Sequence, residues 1–160
     1  KQKNKSFKRF WYKLNNMAKP ETKFWKQIKT NLTSFRWVRL ESWASQGVPD
    51  LLGATPDGVF FTVELKATKS NRINISPHQI SFHEEHKNCP SFFLVKTLTD
   101  SDPKKFSILL FGGGQSSLFL EHSIKDLEPL ATFQSPIDWI ELASVLSKNI
   151  HMHCAKPAGK

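Results

Sequence analysis

GVPDLLGATPDGVFFTVELK, residues 47–66, carries the pattern of a β-hairpin with acids on both strands. From Val59 to Lys66, Val59, Phe61, Val63 and Leu65 are apolar and share one face of an extended strand. Phe60, Thr62, Glu64 and Lys66 share the other, so Glu64 and Lys66 project side by side. Thr55-Pro56-Asp57-Gly58 reads as the turn before that strand, with Pro presetting φ and Gly supplying a positive φ. If Pro56-Asp57-Gly58 is a three-residue loop ending in a glycine bulge, Thr55 pairs with Val59. The same register sets Asp50 opposite Glu64, with Cβ atoms about 5 Å apart. The plainer alternative is a hairpin whose charged face is merely solvated.

Two carboxylates side by side on a sheet repel each other unless a cation sits between them. All-oxygen ligation suits a hard divalent cation, Mg²⁺ or Mn²⁺, better than zinc. A lysine beside the pair can hold an attacking water or offset charge developing on a phosphate.

Pro49-Asp50, thirteen intervening residues and then Glu64-Leu65-Lys66 resemble the motif of the PD-(D/E)XK nucleases. Gly47 before it and Gln79 after it, in SPHQISFHEEH, add to the likeness, which spans roughly residues 35–98. The pattern is most similar to the VRR-NUC-like and Holliday-junction-resolvase-like phage nucleases. In those, a strand reading R-x-E precedes G-x-PD, and a helix bearing Gln follows E-x-K. The matching pieces here are Arg39-Leu40-Glu41, Gly47-Val48-Pro49-Asp50, Glu64-Leu65-Lys66 and Gln79. An isolated E-x-K occurs by chance on many strands, and the ordered set is far more specific.

The resemblance implies a restriction-endonuclease-like α/β core and metal-dependent hydrolysis of DNA phosphodiesters. By the same resemblance Asp50, Glu64, Glu41 and the Leu65 carbonyl would ligate one or two Mg²⁺. Lys66 would orient the attacking water, and Gln79 would support water or phosphate. It further implies branched DNA as substrate, a homodimer, and a phage enzyme of recombination or repair at work in the host cytoplasm. A nuclease acting on linear duplex and a catalytically silent DNA-binding module are the alternatives. The intact Asp, Glu and Lys set argues against the silent module.

At 160 residues, with 39% hydrophobic content, thirteen Phe and five Trp, the chain suits one globular domain. It contains no apolar run of membrane-spanning length and no evident signal peptide. The chain begins with Lys1 rather than Met, as if the true start lay further upstream. Cys89 and Cys154 are too few for a disulfide framework, which suits a reducing cytoplasm.

The net charge of +9 is concentrated at one end. Residues 1–29 hold ten Lys and Arg against one acid, Glu21, and the remainder is neutral. Residues 1–19 therefore read as a basic aromatic arm, 20–150 as the nuclease-like domain and 151–160 as a tail. Lys3, Lys5, Lys8, Arg9 and Lys13 of the arm, with Lys69 and Arg72 in a later loop, are the candidate phosphate contacts. A solvated tail with its aromatics packed on the core or on a second subunit is the competing reading of the arm.

Pro20–Leu32 reads as a helix, with Phe24, Ile28 and Leu32 at intervals of four and Pro20 at its first position. Glu21, in its first turn, is a second candidate for the third acid, although favourable interaction with the helix dipole explains it equally. Phe35–Leu40 reads as a strand, and Ser76-Pro77-His78-Gln79 as a capped helix start in which Gln79 can be a capping-box partner. His78 and His83 are expected on that helix's exposed face. Pro90–Lys96 and Phe106–Phe111 read as strands, Gly112–Gly114 as a flexible turn, and Ser123–Leu127 as a short helical turn. Ser135-Pro136-Ile137-Asp138 reads as a last helix start. His151, His153 and Cys154 are too crowded, and lack a partner pair, to make a zinc site. The order predicts an α/β sandwich around a mixed sheet of about five strands.

Overall fold

A computed structural model describes residues 20–40, 46–98 and 104–155. Glu41 and the arm's Lys3, Lys5, Lys8, Arg9 and Lys13 lie outside the described residues. Among those described, six strands form one sheet in chain order: β1 (Arg36–Arg39), β2 (Leu51–Ala54), β3 (Phe60–Thr68), β4 (Ser91–Leu98), β5 (Phe106–Gly112) and β6 (Ala131–Gln134). Only β3 and β4 run parallel, and the other neighbours are antiparallel. The α-helices among the described residues are α1 (Pro20–Asn31), α2 (Pro77–Glu85), α3 (Leu118–Glu121) and α4 (Trp139–Cys154). This is the expected α/β arrangement around a mixed sheet, with six strands rather than five.

The hairpin adopts the register read from its sequence. Leu51 faces Val63 and Gly53 faces Phe61, while the Thr55 N–H donates to the Val59 carbonyl at 3.0 Å. Gly58 has φ +91°, the conformation the bulge demands. Gly53 is required by packing, because a Cβ there would lie 2.3 Å from Cζ of Phe61. The Phe61 ring meets Phe35 and Trp37 edge-on, each at 5.3 Å between centroids.

Alternation along the central strands creates two cores. Phe61, Val63, Leu65, Phe92, Leu94, Ile108 and Leu110 face α1 and α4, meeting Phe24, Ile28, Leu142, Leu146 and Ile150. Each such buried side chain contributes roughly 1.5–3 kcal/mol. Phe93, Val95, Leu109 and Phe111 face the opposite side, where Ile73, Ile75, Phe119 and Leu127 cover them. Glu64 and Lys66 alternate with Leu65 and so face this second side, in register with Phe93 and Val95. Buried on both faces, β4 and β5 read as continuous apolar runs.

Two expectations change. β6 was not expected: it is a four-residue edge strand with a single buried residue, Phe133, too short to show a period. His83 is fully buried instead of exposed, while His78 is exposed. Of the three glycines, Gly112 ends β5, and Gly113 and Gly114 open a 3₁₀ turn, Gly113–Gln115, with Gly113 buried beneath His83 and Ser91. Among the described residues no helix is long and apolar enough to cross a membrane.

Candidate active site

Asp50 precedes β2 and Glu64 lies in β3, so the hairpin register brings them together. The Leu65 N–H donates to Asp50 Oδ2 at 2.9 Å, fixing that carboxylate against β3. Glu64 is only 2% exposed. A solvated charged face, the plainer reading of the hairpin, is therefore excluded. Lys66 Nζ lies 3.1 Å from Glu64 Oε1.

Helix α2 supplies the fourth group. Ser76 caps it, accepting from the Gln79 N–H at 3.2 Å, and the Ser76 N–H donates to Gln79 Oε1 at 3.1 Å. The same Oε1 accepts from Lys66 Nζ at 3.0 Å, and Gln79 Nε2 donates to Glu64 Oε1. The capping-box role and the site role thus coexist in one side chain, whose orientation is fixed at both ends. Gly47 ties the Pro-Asp loop to this helix: it has φ +90°, and a Cβ there would lie 2.3 Å from the His78 carbonyl oxygen.

The electrostatics are those of an acid pair held out of water. Burial, followed by repulsion from Asp50, pushes Glu64 up from 4.5 to about 7, against the pull of Lys66. Burial also raises Asp50, opposed by the Leu65 N–H, Lys66 and Arg39 and assisted by the charge of Glu21. Glu64 Oε2 is buried and has no hydrogen-bond partner. A buried carboxylate oxygen without a donor, beside a second carboxylate, fits a hard divalent cation. Asp50 and Glu64 would hold it.

Of the sequence-derived candidates, Asp50, Glu64, Lys66 and Gln79 converge. Leu65 contributes its N–H, its side chain being buried in the first core. Glu21, in the first turn of α1, acts on Asp50 by charge. Among the described residues no group of three or more acids, His or Cys gathers into a metal-binding set. Lys69 and Arg72 are exposed in the loop between β3 and α2. His151 and His153 are engaged elsewhere, with Asp57 at 2.8 Å and the Lys87 carbonyl at 3.0 Å.

One buried group escaped the sequence reading. His83 shares a hydrogen bond of 2.9 Å between Nδ1 and Ser91 Oγ, and Ser91 Oγ shares another of 2.8 Å with Thr62 Oγ1. His83 Nε2 is buried without a partner. Burial holds its pKa down to about 4, with Lys66 adding to the effect. The signal was its spacing: His83 follows Gln79 by four, so a helix that aims Gln79 at the sheet aims His83 there too.

No protein-family model matches the chain, and no curated protein matches it. Among solved structures it is similar to a VRR_NUC domain, at 28% identity and a TM-score of 0.41, over 48% of this chain and 84% of that one. It is also similar to Archaeoglobus fulgidus Hjc, a Holliday junction resolvase from an archaeal hyperthermophile. That likeness has 15% identity and a TM-score of 0.39, over 78% of this chain and 95% of the resolvase. These carry the names of the two nuclease branches that the motif in residues 35–98 resembles.

Proposed function

We propose that the chain is a divalent-metal-dependent endonuclease that hydrolyses DNA phosphodiester bonds, with branched DNA as its preferred substrate. The observation that carries this reading is the junction of Asp50, Glu64, Lys66 and Gln79. Two acids that burial disfavours as anions stand beside a cation, and one carboxylate oxygen is left unpartnered.

Asp50 and Glu64 would bind Mg²⁺ or Mn²⁺, with the Leu65 carbonyl and Glu41 completing the set, since Glu21 does not gather with the two acids into a ligand group. Such an ion supplies Lewis acidity toward a phosphate and the departing oxygen. Lys66, held by Gln79 Oε1 and Glu64 Oε1, orients the attacking water and stabilises negative charge developing on the phosphate. Gln79 keeps Lys66 and Glu64 in one fixed geometry, so little reorganisation is needed during the reaction. The basic residues of 1–29, with Lys69 and Arg72, supply affinity that is independent of sequence and falls with salt. A symmetric pair of cuts in a four-way junction calls for two copies of the chain.

The test incubates purified protein with a labelled four-way junction and a linear duplex of matching sequence, in Mg²⁺ or EDTA. Paired nicks in the junction, absent in EDTA, are expected. Equal cutting of both substrates would remove the branched-DNA preference, and tight binding without cutting would leave only a binding module.

A further inference from the structure

One apolar groove opens on the second face of the sheet, next to the carboxylates. It encloses about 280 Å³ and is lined by Leu52, Phe60, Thr62, Phe82, His86 and Pro90, among others. Phe82 and His86 form a flat stacked pair, with ring centroids 4.3 Å apart and planes 20° from parallel. Phe60 comes from β3 and is 65% exposed, and Val38, on the same face, is 57% exposed. A large aromatic standing that far into solvent beside a groove has no role in the core.

The sheet register fixes the groove's position relative to the acids. Leu52 lies two residues beyond Asp50 on β2, and Thr62 two residues before Glu64 on β3, facing each other as a pair. Residues two apart on a strand project from the same face, about 7 Å from one another. Each carboxylate therefore has a groove residue as its same-face neighbour, a span that one nucleotide bridges. Arg36 pairs with Ala54, which pairs with Phe60, so a guanidinium shares the outer rung of this face with the exposed phenyl ring. Aromatic walls, an arginine two strands away on the same face and the proposed phosphate-cleaving site one step away suit a base attached to a phosphodiester. The groove's volume is that of a site for a single planar ring system.

We infer that this groove takes an unstacked nucleobase next to the cleaved phosphate, held between Phe60 and the Phe82–His86 pair. The inference rests on the nuclease reading of the neighbouring acids and gives that reading its substrate class. The preferred DNA carries an unpaired or readily unstacked nucleotide at the cut, as branch points and single-stranded ends do. Duplex DNA offers such a base only at the cost of unstacking it.

Phe60 is exposed and outside the catalytic cluster, so it can be replaced without disturbing fold or chemistry. Full-length protein is titrated, in Ca²⁺, against a thymidine oligonucleotide with one central 2-aminopurine and against a blunt duplex. Wild-type protein is expected to quench the 2-aminopurine. Phe60→Ala should remove the quench and weaken binding of the oligonucleotide about tenfold, leaving duplex binding unchanged. Phe60→Trp should restore both and Phe60→Leu neither, since leucine keeps the apolar contact but not the stacking. Equal losses on both DNAs, no loss at all, or a wild-type dimer that Phe60→Ala turns into a monomer would each overturn the inference. Mg²⁺-dependent cleavage of a junction is scored in parallel. Cleavage with no Phe60 effect sinks the groove alone, and a Phe60-dependent quench without cleavage sinks the nuclease reading alone.

Discussion

Replacing Glu64 by glutamine should stabilise the metal-free protein at alkaline pH. Glu64 has its carboxyl lifted from 4.5 to about 7. In the unfolded chain it ionises near its ordinary value, so the unfolded state releases its proton first as pH rises. A raised carboxylate pKa thus costs nothing below 4.5, costs progressively more between 4.5 and about 7, and is constant above that. At 1.36 kcal/mol for each pH unit, the full penalty is about 3 kcal/mol. Glutamine keeps an oxygen to accept from Lys66 and Gln79. It also buries an amide where Glu64 Oε2 has no partner, which costs about 1–3 kcal/mol at any pH. That second cost cancels when the same variant is compared with wild type at two pH values. The stability difference between Glu64→Gln and wild type should therefore shift by about 3 kcal/mol in the variant's favour from pH 4 to pH 8. For a chain of this length that is a relative change in Tm of about 6–12 °C. Thermal melts in EDTA at several pH values measure it. Parallel profiles for the two proteins would mean that Glu64 titrates as a solvated carboxylate, and the desolvated acid pair would have to be abandoned.

Mg²⁺ should raise the Tm of wild-type protein at pH 8 and have little effect on Glu64→Gln; at a hundredfold excess over Kd the gain is about 2.7 kcal/mol. An equal response in both would place the ion elsewhere. His83, held neutral with its pKa near 4 against an ordinary 6.5, supports stability fully above pH 6.5, and that support is lost as pH falls toward 4. Urea melts of His83→Asn should show a shallower acid limb than wild type, by about 3 kcal/mol over that window, and an unchanged limb would refute the assignment. Gly53→Ala sets a methyl 2.3 Å from the Phe61 ring, and the overpacking should cost about 1–3 kcal/mol in a denaturant melt. A neutral result would show that the Phe61 ring shifts freely.

Much of the site was legible because a strand's period of two is rigid. Once Pro56-Asp57-Gly58 was read as a three-residue loop, the pairing of Asp50 with Glu64 followed by counting. Gln79 was legible for a different reason: Ser76-Pro77 marks a helix start sharply, and the first turn lies against the sheet end. His83 was misread because α2 has a weak amphipathic pattern, with Ile80 and Phe82 only partly buried and a histidine filling the position that faces the sheet. The only guide was its distance of four from Gln79. β6 carries one buried residue in four, and its pairing with β5 is a tertiary fact that no local pattern announces. The groove beside the acids was equally hidden, since Phe60 and Phe82, 22 residues apart in sequence, come to line one cavity only in the folded chain. Sequence alternation assigned Phe60 to the charged face without showing what it would border.

The most direct test of the account is cleavage of a labelled four-way junction in Mg²⁺ by wild-type protein, Lys66→Ala and Glu64→Gln, each first checked for folding. Lys66 and Glu64 share contacts through Gln79 and the Glu64 carboxylate, so both variants should lose at least about a hundredfold in cleavage rate while still binding the junction. Cleavage at the wild-type rate by either folded variant would contradict the assignment of this acid–lysine cluster as the catalytic site.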